Sequence, residues 1–162
     1  MLKQIGLVSL LLFSCSKPNH WAVDQIHSDK AEYSFAKISC PAMDPVNGID
    51  IEFINNSNQI QAYLTVHSTP VEPLKGDPQS VAVSVRSAQE KFSCTAYRFQ
   101  GGQKFLLPYE VSEKIISLLK NKQEVTILLN GYRTVLKSAD FERKYETFLH
   151  PFPLRNPFQF SL

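Results

Sequence analysis

The chain has 162 residues, of which 43% are hydrophobic and 11% aromatic. That composition excludes a disordered chain, and the length points to one domain. The 17 basic and 15 acidic residues nearly balance, and no basic block stands out, so there is no electrostatic case for nucleic acid.

The first four residues, Met1-Leu2-Lys3-Gln4, carry one positive charge, and an apolar run from Ile5 to Phe13 follows. The run is too short for a bilayer core, which needs roughly 20 residues. A charged start, a short apolar core and the small Ser14 describe a secretory signal rather than a membrane-spanning helix. The last four residues of this stretch, Leu12-Phe13-Ser14-Cys15, resemble the lipobox of bacterial lipoproteins. Phe13 departs from the small or polar residue usual there. The resemblance implies diacylglyceryl transfer to the Cys15 sulfur, removal of residues 1–14, and acylation of the new amino group by a palmitate-type chain. A protein so modified sits on a membrane surface without spanning it. Ser16 follows Cys15 where Asp would divert the protein. In enteric-type sorting that implies the outer membrane of the cell envelope rather than the inner. Such export also makes a disulfide between Cys40 and Cys94 the expected state.

Residues 15–31 show no sustained apolar period and read as the lipidated N-terminus and a tether. Trp21, with Val23 and Ile26, either docks on the body or rests at the membrane interface, and docking is favoured. From residue 32 a period of two sets in. A first run ends at Cys40, and Pro41 to Gly48 is a loop. Ile49, Ile51 and Phe53 alternate with Asp50, Glu52 and Ile54. After Asn55-Asn56-Ser57-Asn58, Ile60, Ala62, Leu64 and Val66 alternate with polar partners, completing a hairpin. Thr69 to Gln79 is a long loop, and strands follow around Val81–Val85, Lys91–Phe99 and Gln103–Leu107.

After Pro108, Val111, Ile115, Leu118 and Leu119 make one helical face, with acids near its start and lysines near its end. A hairpin turning on Asn130-Gly131 comes next. A second helix is expected after it, capped by Ser138, with Phe141, Tyr145, Phe148 and Leu149 on its apolar side. The whole is α+β: a single domain over 32–149, mainly an antiparallel β sandwich or open barrel, with two helices in the C-terminal third. The tail 150–162 is rich in Pro and Phe and is expected to pack back on the body.

No catalytic constellation emerges. The histidines 20, 27, 67 and 150 are scattered, no HExxH or zinc spacing occurs, and no Gly-rich phosphate loop or G-x-S-x-G elbow is found. Asp50 and Glu52 are spaced as neighbours on one strand face, which suits solvation better than glycosidase chemistry. Periplasmic lysozyme inhibitors share the gross form of a small disulfide-bearing β-barrel lipoprotein. Their Ser-Gly-x-x-Tyr type motif is missing, so their function is not carried over. The expectation is a non-catalytic envelope lipoprotein, with no metal and no cofactor, that scaffolds or binds a protein partner. It touches the membrane through lipid on Cys15. The alternative is a carrier of a small apolar or lipid ligand inside the β-domain, and an enzyme with dispersed residues ranks third.

Overall fold

The computed structural model describes residues 20–26, 35–56 and 59–150. The expected signal segment, Cys15, His27 and the tail after His150 lie outside the described residues. Among the described residues, nine strands and two helices follow one another. The strands are β1 (Ala22–Ile26), β2 (Phe35–Cys40), β3 (Asp50–Asn56), β4 (Gln59–Thr65), β5 (Ser80–Arg86), β6 (Lys91–Arg98), β7 (Lys104–Leu106), β8 (Val125–Leu129) and β9 (Tyr132–Leu136). The helices are α1 (Tyr109–Lys120), between β7 and β8, and α2 (Phe141–Leu149), after β9.

All nine strands form one antiparallel sheet in the order β1-β2-β3-β4-β7-β6-β5-β8-β9, which does not close on itself. Alternation decides which face is dry. Ile38, Ile51, Phe53, Leu64, Val83, Val85, Phe105 and Ile127 are fully buried on the inner face, while their chain neighbours point outward. The helices cover that inner face, α2 against β1 and β2, and α1 against β4 and β8. Phe141 of α2 stands edge-on to Trp21 at 4.7 Å and to Phe53 at 6.3 Å between ring centres.

Turn chemistry follows the residues. Asn130 and Gly131 both take positive φ, 43° and 88°, the primed geometry that suits the twist of a two-residue hairpin. Pro108 stands just ahead of α1, where its missing N–H costs nothing, and Asn121 ends it.

Three expectations need correction. Part of the tether is structured: Ala22–Ile26 is an edge strand paired residue by residue with Phe35–Ser39. Its cause is Trp21, only 2% exposed, whose indole N–H donates to Lys137 O at 2.7 Å. Burying so large an apolar surface outweighs the ordering of a short strand. Second, Cys40 and Cys94 are not bridged. They sit on β2 and β6, with β3, β4 and β7 between them, whereas a disulfide needs Cβ atoms roughly 4 Å apart. Third, Ser138 does not cap α2 with its side chain. The cap is Asp140 in the left-handed region, φ 61°, and Ser138 contributes only its carbonyl, to Phe141 N–H at 3.1 Å. Thr69 to Gln79 is the long loop expected, and it is held by a short bridge between Leu74 and Asp77 and by Val71, 1% exposed, whose N–H donates to Gly102 O at 2.7 Å.

Candidate interaction surface

Outward positions of a half-buried sheet are normally polar. On β4, β7 and β6 three neighbouring ones depart from that rule. Because Ala62, Leu64, Phe105 and Ala96 take the inward positions, Tyr63, Leu106 and Tyr97 are turned outward, and the register sets them side by side across the three strands. Phe99, just past β6, joins them. Its ring lies edge-on to Tyr97 at 5.1 Å and tilted to Tyr63 at 6.2 Å. Tyr97 is 44% exposed.

The backbone under this cluster is held firmly. Phe99 N–H donates to Lys104 O at 3.0 Å, and Gly102 N–H donates to Phe99 O at 3.0 Å, closing the turn between β6 and β7. Arg98 reaches under that turn, and its Nε donates to Val71 O at 2.8 Å. A side chain at Gly102, φ 68°, would run into that guanidinium.

Charges of alternating sign border the rings. Lys104 Nζ lies 4.8 Å from the centre of the Tyr63 ring and 3.9 Å from Glu52. Glu52 also accepts from Lys37 at 3.0 Å, and Lys37 lies 3.6 Å from Asp24. The hydrogen bond to Glu52 raises the Lys37 pKa against the opposing effect of burial, with the charges of Glu52 and Asp24 adding to it. Tyr63 Oη donates to Gln61 Oε1 at 2.9 Å, so the ring keeps a polar handle. Rigid aromatics rimmed by charge can anchor a protein partner at small entropic cost. Sequence reading passed over Tyr63, Tyr97, Phe99 and Lys104 as the solvent side of strands. The signal available was aromatics on alternate positions opposite an aliphatic face.

Asp50 and Glu52, which could in principle pair as glycosidase carboxylates, are separately engaged. Asp50 accepts from Ala42 N–H at 2.7 Å and lies 2.7 Å from His67 Nε2, so the exposed His67 at its strand end also clasps β3. Among the described residues no Ser or Cys side chain hydrogen-bonds His67. Beside this clasp is a 390 Å³ cleft formed by Asn47, Glu72 and the Asn130–Tyr132 turn. Tyr132 Oη closes its floor, donating to Thr69 O and accepting from Thr69 N–H, both at 2.7 Å. In the adjoining loop the Asp44 carboxylate accepts from the backbone N–H groups of Asn47 and Val46, which lowers its pKa.

Burial pushes the Cys40 thiol up to about 12, with the charge of Asp50 adding to it, and the Cys94 thiol up to about 11. A buried thiol held protonated is in the wrong state for nucleophilic attack. His150 lies 3.9 Å from Glu146. Among the described residues no three His, Cys, Asp or Glu side chains gather as metal ligands, and no helix is long and apolar enough to cross a membrane. Comparison with protein-family models, curated proteins and solved structures yields no match.

Proposed function

We propose that this chain is a bacterial envelope lipoprotein, anchored by lipid on Cys15 to the outer membrane, whose non-catalytic domain binds a protein partner. The observation that carries the binding role is the outward cluster of Tyr63, Tyr97 and Phe99. Tyr97 is exposed, Tyr63 and Phe99 are half-buried beside it, and aromatic residues grouped on an outward sheet face are enriched at interfaces. The anchoring role rests on Leu12-Phe13-Ser14-Cys15. The sheet is read as an open barrel. In support, Arg133 N–H of β9 donates to Asn47 O ahead of β3 at 3.0 Å, and Trp21 reaches Lys137 from the opposite edge of the strand order. A carrier role is less well supported, because Ile115, Leu119, Phe141 and Phe148, each at most 1% exposed, fill the space a ligand would need.

Two experiments test the parts separately. Metabolic labelling with a fatty-acid probe is expected to mark wild type and not Cys15→Ala; equal labelling of the two, or none, rejects the anchor. A photo-crosslinking residue placed at Tyr97 in living cells is expected to trap a discrete adduct. The same residue at Glu110, on the helix side, serves as control. Adducts absent at position 97, or identical at both positions, reject the aromatic interface.

A further inference from the structure

The other half of the outer face has a different character. Away from Tyr97, the outward side chains of β6, β5, β8 and β9 are small, hydroxylic or aliphatic (Ser84, Ser93, Thr126, Leu128, Val135), with four exposed bases among or beside them: Lys91, Arg86, Arg133 and, just past β9, Lys137. Arg86 and Lys91 stand directly opposite each other in the β5–β6 register. Like charges in that relation destabilise a sheet. Neither these two nor Arg133 and Lys137 form an ion pair among the described residues. The neighbouring acids do not offset them: Glu90 is taken by Lys114, and Glu124, just ahead of β8, is a single charge. Between the bases lies a hydroxyl patch, where Ser84 and Ser93 share a hydrogen bond of 2.9 Å and Thr126 pairs with Arg86 in the register. On β2, by contrast, the outward Lys37 has Glu52 and Asp24 beside it.

We propose that this basic face lies against the anionic headgroups of the membrane that holds the lipid anchor. The proposal rests on the lipidation of Cys15. Charge complementarity is one support, and the reach of the chain is the other. Trp21 is six residues from Cys15, which spans at most about 20 Å even when fully extended. The Trp21 indole is hydrogen-bonded to Lys137, the end of the basic face. The start of β1 thus lies within that reach of the anchor, and the domain is held near the bilayer by the side that carries Lys137. Exposed bases within a Debye length of anionic lipid are each attracted to it. The aromatic cluster of β4, β7 and β6 is then left for a partner.

The test uses the mature chain with Cys15→Ser, which carries no lipid, in sedimentation with vesicles. Binding is expected with vesicles containing phosphatidylglycerol and not with phosphatidylcholine alone, and it is expected to disappear in high salt. Each of Arg86→Gln, Lys91→Gln and Arg133→Gln should weaken it by about fivefold, and the triple variant by about 100-fold. Lys144→Gln, on α2, should leave it unchanged. Unchanged circular dichroism of the variants shows that the fold is kept. Equal binding to both vesicles, no binding to either, or variants indistinguishable from the parent overturn the proposal. Because the assay needs no acyl chain, failure here leaves fatty-acid labelling at Cys15 intact, and failure of labelling leaves the vesicle result standing.

Discussion

Replacing Trp21 probes the structured start of the domain most sharply. The side chain is 2% exposed, packed edge-on to Phe141 at 4.7 Å and tilted to Phe53 at 6.1 Å. Removing roughly 200 Å² of aromatic surface from water is worth about 5 kcal/mol as an upper bound. The lost indole hydrogen bond to Lys137 O adds about 1 kcal/mol, and the methyl that stays in Trp21→Ala takes back about as much. Those terms sum to about 5 kcal/mol as an upper bound, and because the unfolded chain already buries part of the ring the expected loss is about 4 kcal/mol, within the range for large aromatic truncations. Trp21→Phe keeps most of the ring contacts and should cost only about 1–2 kcal/mol. Urea unfolding followed by circular dichroism measures both. With a slope of about 1.5 kcal/mol per molar, the alanine midpoint should fall by roughly 2–3 M. Trp21 is the only tryptophan. Emission of the parent protein should therefore be that of a buried indole and shift to the red on unfolding. An alanine variant within about 1 kcal/mol of the parent, or native emission already that of exposed indole, would refute the docking of residues 20–26 on the core.

The cysteines give a second check. Non-reducing mass spectrometry should find two thiols at Cys40 and Cys94, and dithiothreitol should leave the urea midpoint unchanged; a shift on reduction would mean a bridge. Stability should also fall in alkali. Burial raises the folded pKa values of Cys40 to about 12, Cys94 to about 11 and Tyr145 to about 12, so their neutral forms favour the fold. Their contribution is whole below the unfolded values and is lost as pH rises through about 9 to 12, which urea midpoints across that range should show. At Gly102, φ 68°, substitution by Ala should cost more than at Gly101, φ 91°, because only Gly102 faces Arg98, and thermal melts of the two variants give the comparison. Glu52→Gln should cost less than about 1 kcal/mol, since the partly exposed Lys37 pair is screened by solvent. Its neighbour Phe53→Ala should cost about 3–5 kcal/mol, and urea titration of both decides whether the core or the outer charges hold β3.

Local elements were largely legible because short-range physics decides them. Period-two alternation marks Ile49–Phe53, Ile60–Val66 and Val81–Val85, and all three are strands with those residues inward. Helical spacing marks Ile115, Leu118 and Leu119, which are buried on α1. Strand β1 was not legible, since Ala22–Ile26 has no face until Trp21 meets Phe141, some 120 positions along the chain. The aromatic cluster escaped for a similar reason. Tyr63 and Phe99 are ordinary outward strand residues until β7 inserts between β4 and β6 and brings them to 6.2 Å.

By itself the sequence determined the lipobox expectation at Cys15, the mainly antiparallel α+β class, and the turn at Asn130-Gly131, because propensity, alternation and turn chemistry act between residues close in the chain. Only the tertiary structure decided that β7 lies between β4 and β6, and that Cys40 and Cys94 stand three strands apart. It alone places four bases on one half of the outer face and aromatic rings on the other. Strand order is set by which faces can be buried together, and that depends on contacts between residues far apart in sequence.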